Sequence, residues 1–359
     1  MLLGFLGWLS LAELGIIVTA HGLLQVYGFV VLFTMGVALM MFCSPMQLAA
    51  RPLPLAYLCP FLLLLGIAFQ IFSVGKTSAL PHWLGPAIQS IAIFSFALVL
   101  GRTRQSSLSL SRSRNSFTAP QLVAMACGTL WLLISPVLGL WDLGKALETV
   151  LWGFTGLYIV AVGLRTHPSI LGISSRGEGA LPLVISLWNV ALALRWLRDD
   201  GLWSITMAGA VALFLFSLQP FRRSQRPPAG GRWLRPFVRT AYLWLIIAAG
   251  LTILAEGPLP RLAGAARHAL GSGFVLTMIA GMSLRMVCAY EVRRLLWRSG
   301  PWVLYGLLTL ATVLRVWGQS ISALEVMVAG GCLQVVAVWF FAALLAGTCL
   351  WGQYLGVKT

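Results

Sequence analysis

Apolar runs follow one another along the whole chain, separated by short polar links, and each spans roughly 18–25 residues, enough to cross about 30 Å of hydrocarbon. They fall at about 21–43, 53–73, 80–101, 119–140, 145–165, 179–198, 201–220, 237–256, 266–288, 301–318 and 324–351. Backbone polar groups in lipid must be satisfied within the segment, and runs of this length do so as helices rather than barrel strands. Residues 2–19 are apolar as well. They lack a basic start and a small-residue cleavage site, so they are expected to be a twelfth span or an interfacial helix, not a cleaved signal. The fold class is therefore all-α: a polytopic transmembrane bundle of 11–12 spans forming a single domain over 1–359. Short links make successive helices antiparallel neighbours.

Composition agrees with the pattern. Of 359 residues 59% are hydrophobic and 9% charged, where a soluble domain carries about 25% charged residues. The formal charge is +16, from 25 basic and 9 acidic residues, and most arginines sit between apolar runs. Placing them by hairpin alternation puts Arg51, Arg102, Arg104, Arg112, Arg114, Arg165, Arg176, Arg222, Arg223, Arg226, Arg232, Arg235, Arg293, Arg294, Arg298 and Lys358 on one side. Asp142, Glu148, Asp199, Asp200 and Glu256 fall on the other, which makes the arginine-rich side cytoplasmic, as in a bacterial inner membrane. The basic loops 102–118 and 221–236 are expected to be flexible and to face lipid headgroups, so membrane lipids are the expected partners. No basic–aromatic patch stands on a soluble segment, so nucleic acid is not one. Six scattered cysteines form no CxxC pair, which indicates neither a disulfide framework nor a zinc knuckle.

One motif recurs three times where helices enter from the outer side. His21 is followed by Gly28-Phe29, Gly36 and Cys43, and His268 by Gly273-Phe274, Gly281 and Cys288. Both copies place eight residues from the first glycine to the second and seven more to the cysteine. The middle copy has Glu148 five residues before Gly153-Phe154, the step that separates His268 from Gly273. The starts lie 127 and 120 residues apart, close to four helices each, which suggests three four-helix units over about 21–144, 145–264 and 265–351, with 1–20 outside them.

Candidate chemistry is sparse. His21 and His268 occupy matching repeat positions near the outer side, His82 lies at similar depth, and His167 is expected in a cytoplasmic loop. Imidazole is the usual axial ligand to haem iron and also suits copper, so two histidines from different helices at one depth would hold either; the bland alternative is hydrogen bonding at the membrane surface. Arg285 and Arg315 lie inside spans and require a partner: a haem propionate, Glu291 or backbone carbonyls. Arg195 and Arg198 are expected to snorkel from a span end, and Glu148 and Glu325 to suit helix starts or begin a proton path. Phosphate loop, G-x-S-x-G elbow and H-E-x-x-H are absent, which argues against nucleotide-driven or hydrolytic chemistry in this chain.

Three blocks, HGLLQVYGFVVLFTMGVAL from His21, LWGFTGLYIVAVGLRTHPSILGI from Leu151 and RHALGSGFVLTMIAGMSLRM from Arg267, cover about a fifth of the chain. In these the chain resembles the NnrS family, polytopic haem- and copper-containing membrane proteins linked to nitric oxide metabolism and compared in architecture with haem–copper oxidase subunit I. The resemblance implies His21 and His268 as haem or metal ligands, with haem b the first expectation and copper the second. Members of that family commonly carry His-x-His in the first block; here His21 stands at the first position and Leu23 at the second. The ligands are therefore carried over singly, and no reaction follows. Two other roles remain open: a non-catalytic subunit packed with other membrane subunits of a larger electron-transfer complex, and a transporter, for which Pro136 and Gly139 offer little beyond one span break and midplane polar residues are sparse.

Overall fold

A computed structural model describes residues 11–42, 53–73, 81–108, 117–174, 179–198, 201–227, 231–290 and 294–352. These form eleven apolar helices and, among the described residues, no strand. In chain order they are α1 (11–42), α2 (Leu53–Ser73), α3 (Leu84–Leu108), α4 (Ala119–Leu138), α5 (Leu143–Leu171) and α6 (Leu181–Leu197). Then come α7 (Leu202–Leu218), α8 (Leu234–Glu256), α9 (263–290), α10 (Gly300–Ser320) and α11 (Leu324–Trp351). Among the described residues eight are long and apolar enough to cross a membrane; in the other three the apolar stretch is shorter, Tyr57–Ser73 within α2 and 17 residues each in α6 and α7. The chain is a multi-pass, all-α helical bundle.

The chain divides into two compact units, Met1–Tyr158 and Ile159–Thr359. The division falls inside α5, so it does not follow the repeat boundaries. The repeat has a structural counterpart all the same. α1, α5 and α9 each contain one π-helical stretch: Leu24–Val31, Val150–Gly156 and Ala269–Leu276. Each stretch carries the Gly-Phe of the motif, so the pattern marks the same local departure from the α-helix three times. Such widened turns are uncommon and gather at functional sites.

In the first unit the hairpin of α2 and α3 shows why small residues sit where they do. A Cβ on Gly85 would lie 2.6 Å from the Gln70 backbone nitrogen and 2.7 Å from the Gly66 oxygen. The two backbones touch, a contact only glycine permits and one that membrane helices use in place of hydrophobic drive. Beside it Gln89 Nε2 donates to Gln70 Oε1 at 2.7 Å, and both side chains are buried. Tyr27, the residue before the motif glycine of α1, bonds Ser135 Oγ of α4 at 2.7 Å. Ser135 gives its own proton to the Leu132 carbonyl at 2.8 Å, so Tyr27 is the donor. In the second unit the corresponding residue of α9, Ser272, accepts from Gln334 Nε2 of α11 at 2.8 Å. Thus two of the three π stretches are tied to another helix from the same repeat position.

Three boundaries differ from expectation. Residues 11–19 are the opening turns of α1 and continue unbroken into its π stretch, because no proline or cluster of charge interrupts them; 1–10 lie outside the described residues. α3 runs on to Leu108, taking Arg102 and Arg104 into the helix, since arginine and glutamine are good helix formers. α5 runs to Leu171, so His167 is helical and buried rather than in a loop.

Candidate functional site

The second unit holds two polar clusters toward opposite ends of its helices. The first starts at His268 on α9, the residue immediately before the π stretch Ala269–Leu276. Its Nε2 lies 3.2 Å from Nη2 of Arg315, which stands five residues before the end of α10. Guanidinium has no acceptor, so Arg315 donates and Nε2 is the unprotonated nitrogen of the ring. Both side chains are half-buried. Arg315 fits because α11 offers glycines opposite it: a Cβ on Gly330 would lie 2.8 Å from the Arg315 backbone nitrogen, and one on Gly331 3.2 Å from its Nη1. One turn further along α9 comes the Ser272–Gln334 bond, and Gln334 Oε1 is buried with no hydrogen-bond partner among the described residues. An imidazole lone pair, a guanidinium and an orphaned amide oxygen therefore occupy neighbouring turns of α9, α10 and α11. Together they can offer an anion a charged donor, and a metal the Nε2 nitrogen once Arg315 turns its hydrogen bond away from the ring.

The other expected site residues are placed as follows. His21 is exposed on α1 in the first unit, three residues before the π stretch Leu24–Val31, while His268 belongs to the second unit. Leu23, standing where a second histidine would complete His-x-His, is fully buried at 0% exposure. His82 is exposed just ahead of α3. Glu148 is half-buried on α5, and Glu325 is exposed at the start of α11. Arg195 does more than snorkel: Nη1 pairs with Glu256 Oε1 at 3.2 Å, and the guanidinium lies 4.7 Å from the Trp203 ring. Glu291 lies outside the described residues. Among the described residues no three or more His, Cys, Asp or Glu side chains come together as a metal-binding set.

A family model described as "Domain of unknown function (DUF8744)" matches residues 1–350. The chain belongs to the DUF8744 family. No curated protein matches it, and no solved structure does.

The second cluster of this DUF8744 chain escaped sequence reasoning. His167 Nδ1 of α5 and the Tyr242 hydroxyl of α8 lie 2.5 Å apart, and both residues are buried. The Tyr242 ring packs near Phe214 of α7 at 5.8 Å and near Phe274, the motif phenylalanine of α9, at 6.1 Å. Arg285 stands near the far end of α9 in the same unit. Gly163, one turn before His167, makes room: a Cβ there would lie 2.8 Å from the Tyr242 oxygen. The available signal was a tyrosine and an arginine lying inside apolar spans, where polar groups are expensive and normally face one another. Nothing in their spacing assigned them to each other.

Proposed function

We propose that this protein is an NnrS-like component of nitric oxide or related redox metabolism in a bacterial inner membrane, with its arginine-rich loops cytoplasmic. In this reading it holds haem b, or a single metal ion, near the outer surface through His268. The observation that carries the reading is the His268–Arg315 contact at the start of the third π stretch. A haem site needs an imidazole nitrogen for the iron and benefits from a cation for a propionate; these two side chains supply one of each within one unit when Arg315 exchanges its bond to Nε2 for one to the propionate. Haem, when bound, supplies redox chemistry at its iron; what the chain contributes is the ring nitrogen, the guanidinium and the glycine-lined space beside them.

The match is to one protein ligand rather than to a cage of several, since the described residues assemble no set of three. His21 is carried as a second candidate ligand on the strength of its repeat position alone, and copper on the strength of single histidines. Buried Leu23 in place of a second histidine favours an alternative role, a non-catalytic subunit packed with other membrane subunits of an electron-transfer complex.

The test is the absorption spectrum of purified protein and two variants. His268→Ala is expected to lose the Soret band while the protein stays folded. Arg315→Gln is expected to keep the ligand but release haem more readily. A Soret band unchanged in His268→Ala would remove this residue from the site.

A further inference from the structure

At the other end of the second unit, α7 ends in a loop that its own arginines hold in shape. Gln219 adopts a left-handed conformation (φ 55°) and caps the helix by donating its backbone N–H to the Leu215 carbonyl at 2.8 Å. Arg239 of α8 then donates to the carbonyls of Pro220 at 3.2 Å and Arg222 at 2.8 Å. Arg235 donates to Ser224 Oγ at 2.6 Å and to the Arg226 carbonyl at 3.2 Å. On the far side the backbone nitrogens of Gln225 and Arg226 both donate to the Gly172 carbonyl, at 2.7 and 3.1 Å. Gly172 has φ +66°, and a Cβ there would stand 2.2 Å from the Arg226 oxygen, so the contact is built around a glycine. Residues 220–226, the opening of a segment that composition alone marks as a flexible basic loop, are therefore held by specific bonds.

Its charges are left uncompensated. Arg222, Arg223, Arg226, Arg232, Arg235 and Arg239 make no ion pair with a carboxylate among the described residues, and the bonds above go to neutral oxygens. Arg222 reaches Ser174 Oγ and Gln219 Oε1 at 3.2 and 3.3 Å, both exposed and weak. Next to it lies an open cleft of about 510 Å³ lined by Leu215, Gln219, Pro220, Phe221 and Arg222. Phe221 is 49% exposed beside exposed Arg222 and Arg223. The cleft thus joins an apolar wall to Arg222, with exposed Arg223 next to it in sequence, at the end of the α7–α8 helix pair.

The geometry points to a binding site for an anionic phospholipid in this cleft, with the phosphodiester on Arg222 and Arg223 and acyl carbons along Leu215 and Phe221. Soluble anions match the cations alone, and neutral lipids the apolar wall alone; an anionic lipid matches both at this depth. Because Arg235 and Arg239 are engaged in holding the loop, Arg222 and Arg223 are the cations presented to the ligand, and the backbone they stand on is already ordered. The proposal is independent of haem binding.

The experiment is native mass spectrometry of the full-length, delipidated protein in mild detergent, titrated with dioleoyl phosphatidylglycerol, cardiolipin or dioleoyl phosphatidylcholine. Inorganic phosphate is added as a competitor in a parallel series. Both anionic lipids are expected to bind saturably and to survive excess phosphate, with phosphatidylcholine much weaker. Arg222→Gln/Arg223→Gln is expected to weaken anionic-lipid binding on the order of tenfold or more, leaving thermal stability unchanged. Phe221→Ser, which alters no charge, is expected to weaken both anionic lipids. Equal retention of phosphatidylcholine, displacement by millimolar phosphate, or wild-type binding by both variants would overturn the assignment.

Discussion

Replacing the motif glycine of the third π stretch tests whether the repeat is a packing device as well as a sequence pattern. At Gly273 an added methyl would stand 2.5 Å from Trp244 Cγ, 2.7 Å from Cδ2 and 2.8 Å from Cβ. The nearest atoms belong to the root of the tryptophan rather than its tip, so rotating the ring does not clear them, and Trp244 is itself buried on α8. Gly28, at the same motif position in α1, has its nearest neighbours at 3.7 and 3.9 Å, ordinary contact. Overpacking of this kind costs about 1–3 kcal/mol. Alanine's helix preference returns roughly 0.5–1 kcal/mol at either site. Gly273→Ala should therefore be less stable than Gly28→Ala by about 1–3 kcal/mol, Gly28→Ala itself being neutral or slightly stabilised. Unfolding of purified protein in mixed detergent and SDS micelles, followed by circular dichroism, gives the two values. Trp244→Ala should cost less in the Gly273→Ala background than in the wild type, a coupling on the order of 0.5–3 kcal/mol. Equal stability of the two glycine variants, or the absence of coupling to Trp244, would refute the reasoning.

Tyr242→Phe removes the partner of buried His167 and should cost about 1 kcal/mol, within the range measured for polar pairs in membrane bundles. Combining it with His167→Leu should cost less than the sum of the single changes, because no polar atom is then left stranded. Gly85→Val presses on the backbone of α2 and should abolish recovery of monodisperse protein by size-exclusion chromatography. Gly101→Val, with nothing within 4 Å of its Cβ position, should leave recovery unchanged. Reporter fusions after Gln225 and after Gly257 should show a cytoplasmic and an external location respectively, and the reverse would invert the topology proposed from the arginines.

The eleven helices were legible because each is a long apolar run whose ends coincide with charge or glycine: α11 was expected at 324–351 and is observed at Leu324–Trp351. Errors came where a helix outlasts its apolar stretch. α5 carries Arg165 and His167 past the point where hydropathy falls, and His167 is accommodated there only because Tyr242 and Gly163 lie opposite it. The Gly-Phe repeat was visible, yet its conformational meaning was not, since a widened turn leaves no trace in hydropathy. Cross-helix pairs such as Tyr27–Ser135 and Gln334–Ser272 were hidden for a simpler reason: their members are 108 and 62 residues apart, and either residue alone resembles an ordinary polar residue in a span. His268 and Arg315 were each singled out from sequence, but their contact was not foreseen.

The proposed role depends most on whether the protein carries a haem or a metal ion. The direct measurement is haem, iron and copper per chain in monodisperse wild-type protein purified in mild detergent. The account predicts close to one b-type haem, or one metal ion, per polypeptide. Full-length, folded protein containing neither would contradict it.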